Sequence, residues 1–114
     1  MSFKFYAVPP TAEKPTRDCL DPWFMVYVSA ERAVHPCCPH SAVGVLSDDV
    51  SLSDILDGPA MRELRHSLLT GELDADCANC PTRSLTDPES LRRRLRVQLA
   101  RAMHENRQAL KSQA

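Results

Sequence analysis

Cysteines stand at positions 19, 37, 38, 77 and 80 of this 114-residue chain, and their number and spacing constrain its fold more than any other feature. An odd count argues against a closed disulfide framework. The opening "MSFKFYAVPPTAEK" lacks a basic segment followed by a long apolar one, so a secretory signal is not expected and a reducing cytoplasm is the expected compartment. Thiols left unpaired there either pack in a core or bind a metal. A chain this short is one domain at most, and a domain of that size gains much from a metal staple.

The rest of the composition narrows the class. With 43% apolar and 25% charged residues the chain reads as globular, and no stretch approaches the roughly 20 apolar residues of a membrane span, so no membrane partner is expected. The net charge of −1 conceals an asymmetry: residues 1–83 hold seven Lys/Arg against twelve Asp/Glu, and residues 84–114 hold seven against three.

Local patterns divide the chain into three. Residues 1–18 read as an N-terminal extended linker, because the prolines of "AVPPTAEKPTRD" fix φ and remove donors; "FKFY" before them suggests a short strand. The apolar, β-branched run "PWFMVYVSA" predicts a strand over 23–29, and "AVHPC" a second one, so 23–37 reads as a hairpin turning near Ala30 and Glu31. Ser51 and Asp54 form a capping-box pattern for a short helix ending near Asp57. Pro59, the Met61, Leu64 and Leu68 stripe and the stop at Gly71 predict a helix over 59–70. Thr86 with Glu89 suggests the cap of a last helix of about seven turns. Leu91, Leu95, Leu99, Met103 and Leu110 mark its apolar stripe, and Arg92, Arg93, Arg94, Arg96, Arg101 and Arg107 its other faces. Residues 84–114 are thus a C-terminal basic amphipathic helix.

Cys77-Ala-Asn-Cys80 spaces two thiolates for one metal centre. A thioredoxin-like redox role needs a βαβ setting with the motif opening a helix, and Pro81 follows instead. In the expected hairpin, Trp23 and Phe24 stand opposite Cys38 and Cys37, roughly 5 Å away, which delivers Cys19 to the neighbourhood of Cys37. Helices over 52–70 that fold back across the hairpin bring Cys77 and Cys80 to the same end. Four thiolates at irregular, long spacing suit a [4Fe–4S] cluster. Cys37-x-x-His40 with Cys77 and Cys80 is the competing set, a Cys₃His zinc site that leaves Cys19 idle. Cys38, pointing opposite to Cys37 in an extended segment, is expected in the core, and is a less favoured ligand, as is His40.

"CLDPWFMVYVSAERAVHPCC", then "SLSDILDGPAMRELRHSLLTGEL", then "CANC" together resemble the SPASM/twitch domain that follows the catalytic barrel of many radical S-adenosylmethionine (SAM) enzymes. The resemblance implies a small α+β fold over 19–83, a β-hairpin and helices around an auxiliary [4Fe–4S] cluster, with Cys19, Cys37, Cys77 and Cys80 as its ligands. Where that family usually has glycine in the hairpin turn, this chain has Glu31-Arg32, so a wider turn is expected. The cysteines of a second auxiliary cluster are missing after Cys80, and so is the C-x-x-x-C-x-x-C of the radical-generating cluster. This sequence alone is therefore not expected to cleave SAM. The resemblance implies an accessory to a separate radical SAM enzyme, in electron transfer or in positioning its peptide substrate.

Three further expectations concern single groups. Pro22 and Trp23 are expected to pack over the metal. Arg62 and Arg65 belong to a solvated helix face, with hydrogen bonds near the cluster as the other reading. The basic last helix is expected to dock a partner or a second copy of the chain. A cationic stripe attracts phosphates, but no interleaved aromatics accompany it, so nucleic acid is not the expected partner.

Overall fold

The computed structural model describes residues 14–113. Its elements are β1 (Thr16–Arg17), α1 (Asp21–Phe24), β2 (Tyr27–Val28), β3 (Ala33–His35), β4 (Gly44–Val45), α2 (Leu52–Leu56), α3 (Pro59–Thr70), α4 (Ala75–Ala78), β5 (Leu85–Thr86) and α5 (Pro88–Gln113). Two small antiparallel sheets, β1–β5 and β2–β3–β4, sit among the helices, so the α+β class read from the sequence holds.

Helix α3 organises the core. Met61, Leu64 and Leu68 recur at i, i+3 and i+7, which places them on one helix face, and all three are buried. Val34, Ile55, Leu91, Leu95 and Cys19 complete the buried apolar set. Burying each large side chain contributes about 1.5–3 kcal/mol. The helix starts on Pro59, whose missing N–H costs nothing in a first turn, and stops at Gly71 with φ 82°. A Cβ at Gly71 would collide with the Lys14 carbonyl as well as strain the backbone.

Two of the last carbonyls of α3 find partners far along the chain, and a third is met by the glycine that ends the helix. Gly71 N–H donates to Ser67 O, the buried Thr16 hydroxyl to Leu68 O at 2.6 Å, and Arg92 to Leu69 O at 2.7 Å. Orphan helix-end groups are thereby satisfied by β1 and α5, which locks three elements together.

Several expectations are corrected. Residues 23–29 are not one strand: Asp21-Pro22 opens a helical turn, Met25 N–H donates to Asp21 O, and only Tyr27–Val28 pairs. The pairing is Tyr27 with His35 and Val28 with Val34, one residue away from a turn centred on Ala30 and Glu31. The chain turns through Ala30, Glu31 and Arg32, with Arg32 N–H donating to Ser29 O and Arg32 itself at φ 68°. This is the wider turn expected without glycine. Strand β4 was not foreseen; it needs Gly44, where a Cβ would lie 2.9 Å from Ile55. Ser51 and Asp54 do form a reciprocal capping box for α2. Helix α5 begins one residue later than its expected cap, on Asp87, whose carboxylate accepts from Ser90 N–H at 2.8 Å and the Ser90 hydroxyl at 2.7 Å.

Thr16 and Arg17, expected within a linker, are strand residues; residues 1–13, including "FKFY", lie outside the described part. Arg65 is half-buried, not part of a freely solvated face. It donates to Pro22 O and Leu56 O, both at 3.0 Å, and so anchors α1 and α2 to α3. Of the stripe on α5, Leu91 and Leu95 are buried, whereas Leu99, Met103 and Leu110 are exposed. The radius of gyration, 17.0 Å, exceeds the roughly 13 Å of a compact chain this long because α5 runs on past the body.

Candidate metal centre

Three chain segments meet at one small cavity of about 20 Å³. Cys19, Cys37, Cys77 and Cys80 all line it. Cys38 does not; it is exposed, so the expectation that it packs in the core is corrected. Trp23 lines a different cleft with Phe24, Leu56 and Arg65, which corrects its expected place over the metal. Pro22 is buried, as expected of a structural residue.

The ladder that delivers Cys19 is not the hairpin. β1 pairs with β5, Thr16 to Thr86 and Arg17 to Leu85, and Asp18 N–H adds a bond to Ser84 O at 2.8 Å. Because β5 follows the Cys77–Cys80 loop, this pairing sets Cys19 beside that loop. Arg83, near the end of the loop, forms an ion pair with Asp21 at 3.0 Å across the cavity rim.

Cys37 arrives from β3 through Pro36, and the segment after it is clamped to α4. His40 N–H closes a turn onto Cys37 O. The His40 ring reaches Asp74 through Nε2 at 2.8 Å, and Ser41 bonds Asp76 through both its backbone N–H and its hydroxyl. Asp74 also caps α4, accepting from Cys77 N–H at 2.8 Å. The sequence reading missed Arg17, Asp74, Asp76 and Arg83 as shapers of this site. Asp74, three residues before Cys77, carried a legible N-cap signal; the others carried none.

Three of the four thiols sit where their neutral form is favoured. Burial pushes Cys19 up to about 11 and Cys37 in the same direction. Burial, then the Asp74 carboxylate, raises Cys77 further. Cys80 goes the other way: burial opposes ionisation, but the Thr82 hydroxyl, the N–H groups of Thr82 and Arg83 and the charge of Arg17 outweigh it. Charges of neighbouring thiolates also enter for Cys19, Cys37 and Cys77, as expected of sulfurs crowded around one point.

This donor set fits an iron–sulfur cluster. Four cysteines line one cavity, and a cationic centre favours the thiolate form of those that burial holds protonated. His40 fits a metal less well. Both ring nitrogens face acceptors, Asp74 and the Ser41 carbonyl, each at 2.8 Å. Burial opposes a charge there, yet these oxygens and Asp76 raise the His40 pKa above its ordinary value. One observation bears on the zinc set: donor atoms of two of its members, His40 and Cys77, lie within 4.8 Å of each other and of Asp74, which is not a member.

No helix among the described residues is long and apolar enough to cross a membrane. No curated protein and no solved structure is detectably similar to the chain. The model of the SPASM family, an iron–sulfur cluster-binding domain, matches residues 19–81, which starts at Cys19 and ends just past Cys80. That match covers more than half of the sequence and encloses every cysteine of the cavity, and the chain therefore belongs to the SPASM iron–sulfur cluster-binding domain family.

Proposed function

We propose that the chain holds a [4Fe–4S] cluster on Cys19, Cys37, Cys77 and Cys80 and serves as an accessory to a separate radical SAM enzyme. The observation that carries the reading is the meeting of those four thiols at one cavity, in a family that binds iron–sulfur clusters. When bound, the cluster would supply a one-electron carrier, since a cysteine on each iron leaves no coordination site open. The chain's own part is to orient four sulfurs, to keep them partly buried, and to present the site beside the Arg83–Asp21 pair. The accessory role draws on the resemblance to the domain that accompanies the catalytic barrel of many radical SAM enzymes. The exposed part of α5, basic and carrying Leu99 and Met103, is the surface we assign to the partner.

Anaerobic purification tests the cluster: brown protein with about four irons and four sulfides per chain is expected. Colourless protein with one zinc would overturn it in favour of the Cys₃His set, the reading that the proximity of His40 to Cys77 supports. The accessory role is tested by combining the loaded protein with a radical SAM enzyme encoded beside it. Turnover that needs both proteins is expected, and turnover indifferent to this chain would remove the role. Leu99→Asp with Met103→Asp is expected to lower complex formation while leaving iron content unchanged.

A further inference from the structure

Helix α4 has four residues, so the carbonyls that follow Ala75 have no partner within it, although Cys77 O accepts from Cys80 N–H at 3.2 Å just past its end. One side chain from 60 residues away takes two of them. Arg17 donates from Nε to Cys77 O at 2.8 Å and from Nη2 to Ala78 O at 2.6 Å, while Nη1 reaches Arg83 O at 3.0 Å. Two of these carbonyls, of Cys77 and Ala78, stand on the arm of the loop before Cys80, and the third, of Arg83, on the arm after it. The guanidinium therefore bridges the loop from arm to arm. Its own backbone is held by the β1–β5 ladder, and its side chain lines the cavity with the four cysteines.

A guanidinium is the group this arrangement requires. Its donors are fixed in a plane and stay charged at every working pH, whereas a lysine offers one nitrogen on a flexible stem. A cation at a helix C-terminus also meets the negative end of the local dipoles.

We propose that Arg17 is a positioning residue for the cluster: it fastens the Cys77–Cys80 loop in the shape that presents both sulfurs to one centre, and it sets a fixed positive charge beside that centre. The inference rests on the cluster reading above. Fastening governs how long the cluster stays bound. The charge stabilises whichever cluster state is more negative, so it raises the reduction potential.

The two effects separate in two variants of the full chain, Arg17→Lys and Arg17→Gln, each loaded anaerobically beside the wild type. Three quantities are measured: iron and sulfide per chain, the rate of iron release to a chelator, and the midpoint potential in a dithionite titration, with circular dichroism as the check on folding. Both variants are expected to release iron about 10-fold faster or more, the usual cost of losing a group that orients a metal ligand. Arg17→Lys is expected to keep a midpoint near the wild type, and Arg17→Gln to fall below it. A purely structural arginine would not produce that split. Wild-type release rates in Arg17→Lys would overturn the fastening role, and that arm stands even if Arg17→Gln does not fold. A wild-type midpoint in folded Arg17→Gln would overturn the charge role. Wild-type protein that takes up no iron and sulfide would instead overturn the cluster reading itself, a result distinct from either.

Discussion

Single residues at this site are set by geometry that neighbouring sequence does not announce. Cys37 and Cys38 are chemically identical and adjacent, yet one lines the cavity and the other faces solvent. Cys37→Ser is therefore expected to lose most of the bound iron, and Cys38→Ser to match the wild type in iron, sulfide and visible absorption. Arg32 makes a second case. It holds φ 68° at the end of the hairpin turn, a conformation that costs a residue with a Cβ about 1–2 kcal/mol. Glycine removes that cost but loses about 0.5–1 kcal/mol of chain entropy. Arg32→Gly is expected to stabilise the protein by about 0.5–1 kcal/mol, read as a higher urea midpoint at unchanged m-value.

Among the elements, short pieces are held by caps and cross-links more than by length. Helix α5 starts on Asp87, and Asp87→Ala is expected to cost about 1 kcal/mol in chemical denaturation at neutral pH. The Ser90 hydroxyl and N–H hold the Asp87 carboxyl below its ordinary value of 3.8. A carboxyl depressed by folding stabilises above its unfolded pKa, and that contribution disappears as pH falls through the folded pKa. The loss from Asp87→Ala is thus expected to shrink as the medium is acidified below that value, measured as the difference between the two denaturation curves. The elements legible in the sequence were those whose signals are local: the capping box of α2, and α3 with its proline start, apolar stripe and glycine stop. β1, β4 and β5 are two residues each and exist through partners elsewhere in the chain, so no run of β-formers marks them. "PWFMVYVSA" had the composition of a strand, but Asp21-Pro22 drew its first part into a helical turn.

The whole molecule is a small body with a long helix that outruns it. Leu95 is 7% exposed and Met103 59%, although they lie on one stripe. Leu95→Asp buries a charge without a partner and is expected to destabilise by about 3 kcal/mol or more, whereas Met103→Asp is expected to stay within about 0.5 kcal/mol. Thermal melts of the two variants check this. Leu95 is accordingly a poor probe of docking, since its loss would unfold the body that carries the site. At this scale the site depends on contacts across 60 residues of sequence, Arg17 to Cys77 among them, and on the pairing of β1 with β5.

The sequence by itself determined the thiol inventory, four spaced cysteines and an odd fifth one, and the helices whose caps and stripes are written in neighbouring residues. It did so because capping and amphipathic burial act over one or two turns. Only the tertiary structure decided which thiols face one cavity, that β1 and β5 carry Cys19 there, that Arg17 bridges the loop, and where α5 leaves the body. Those outcomes are settled by packing and by backbone groups seeking partners, and a backbone carbonyl has the same identity in every residue, so nothing in the string of side chains records which one will be met.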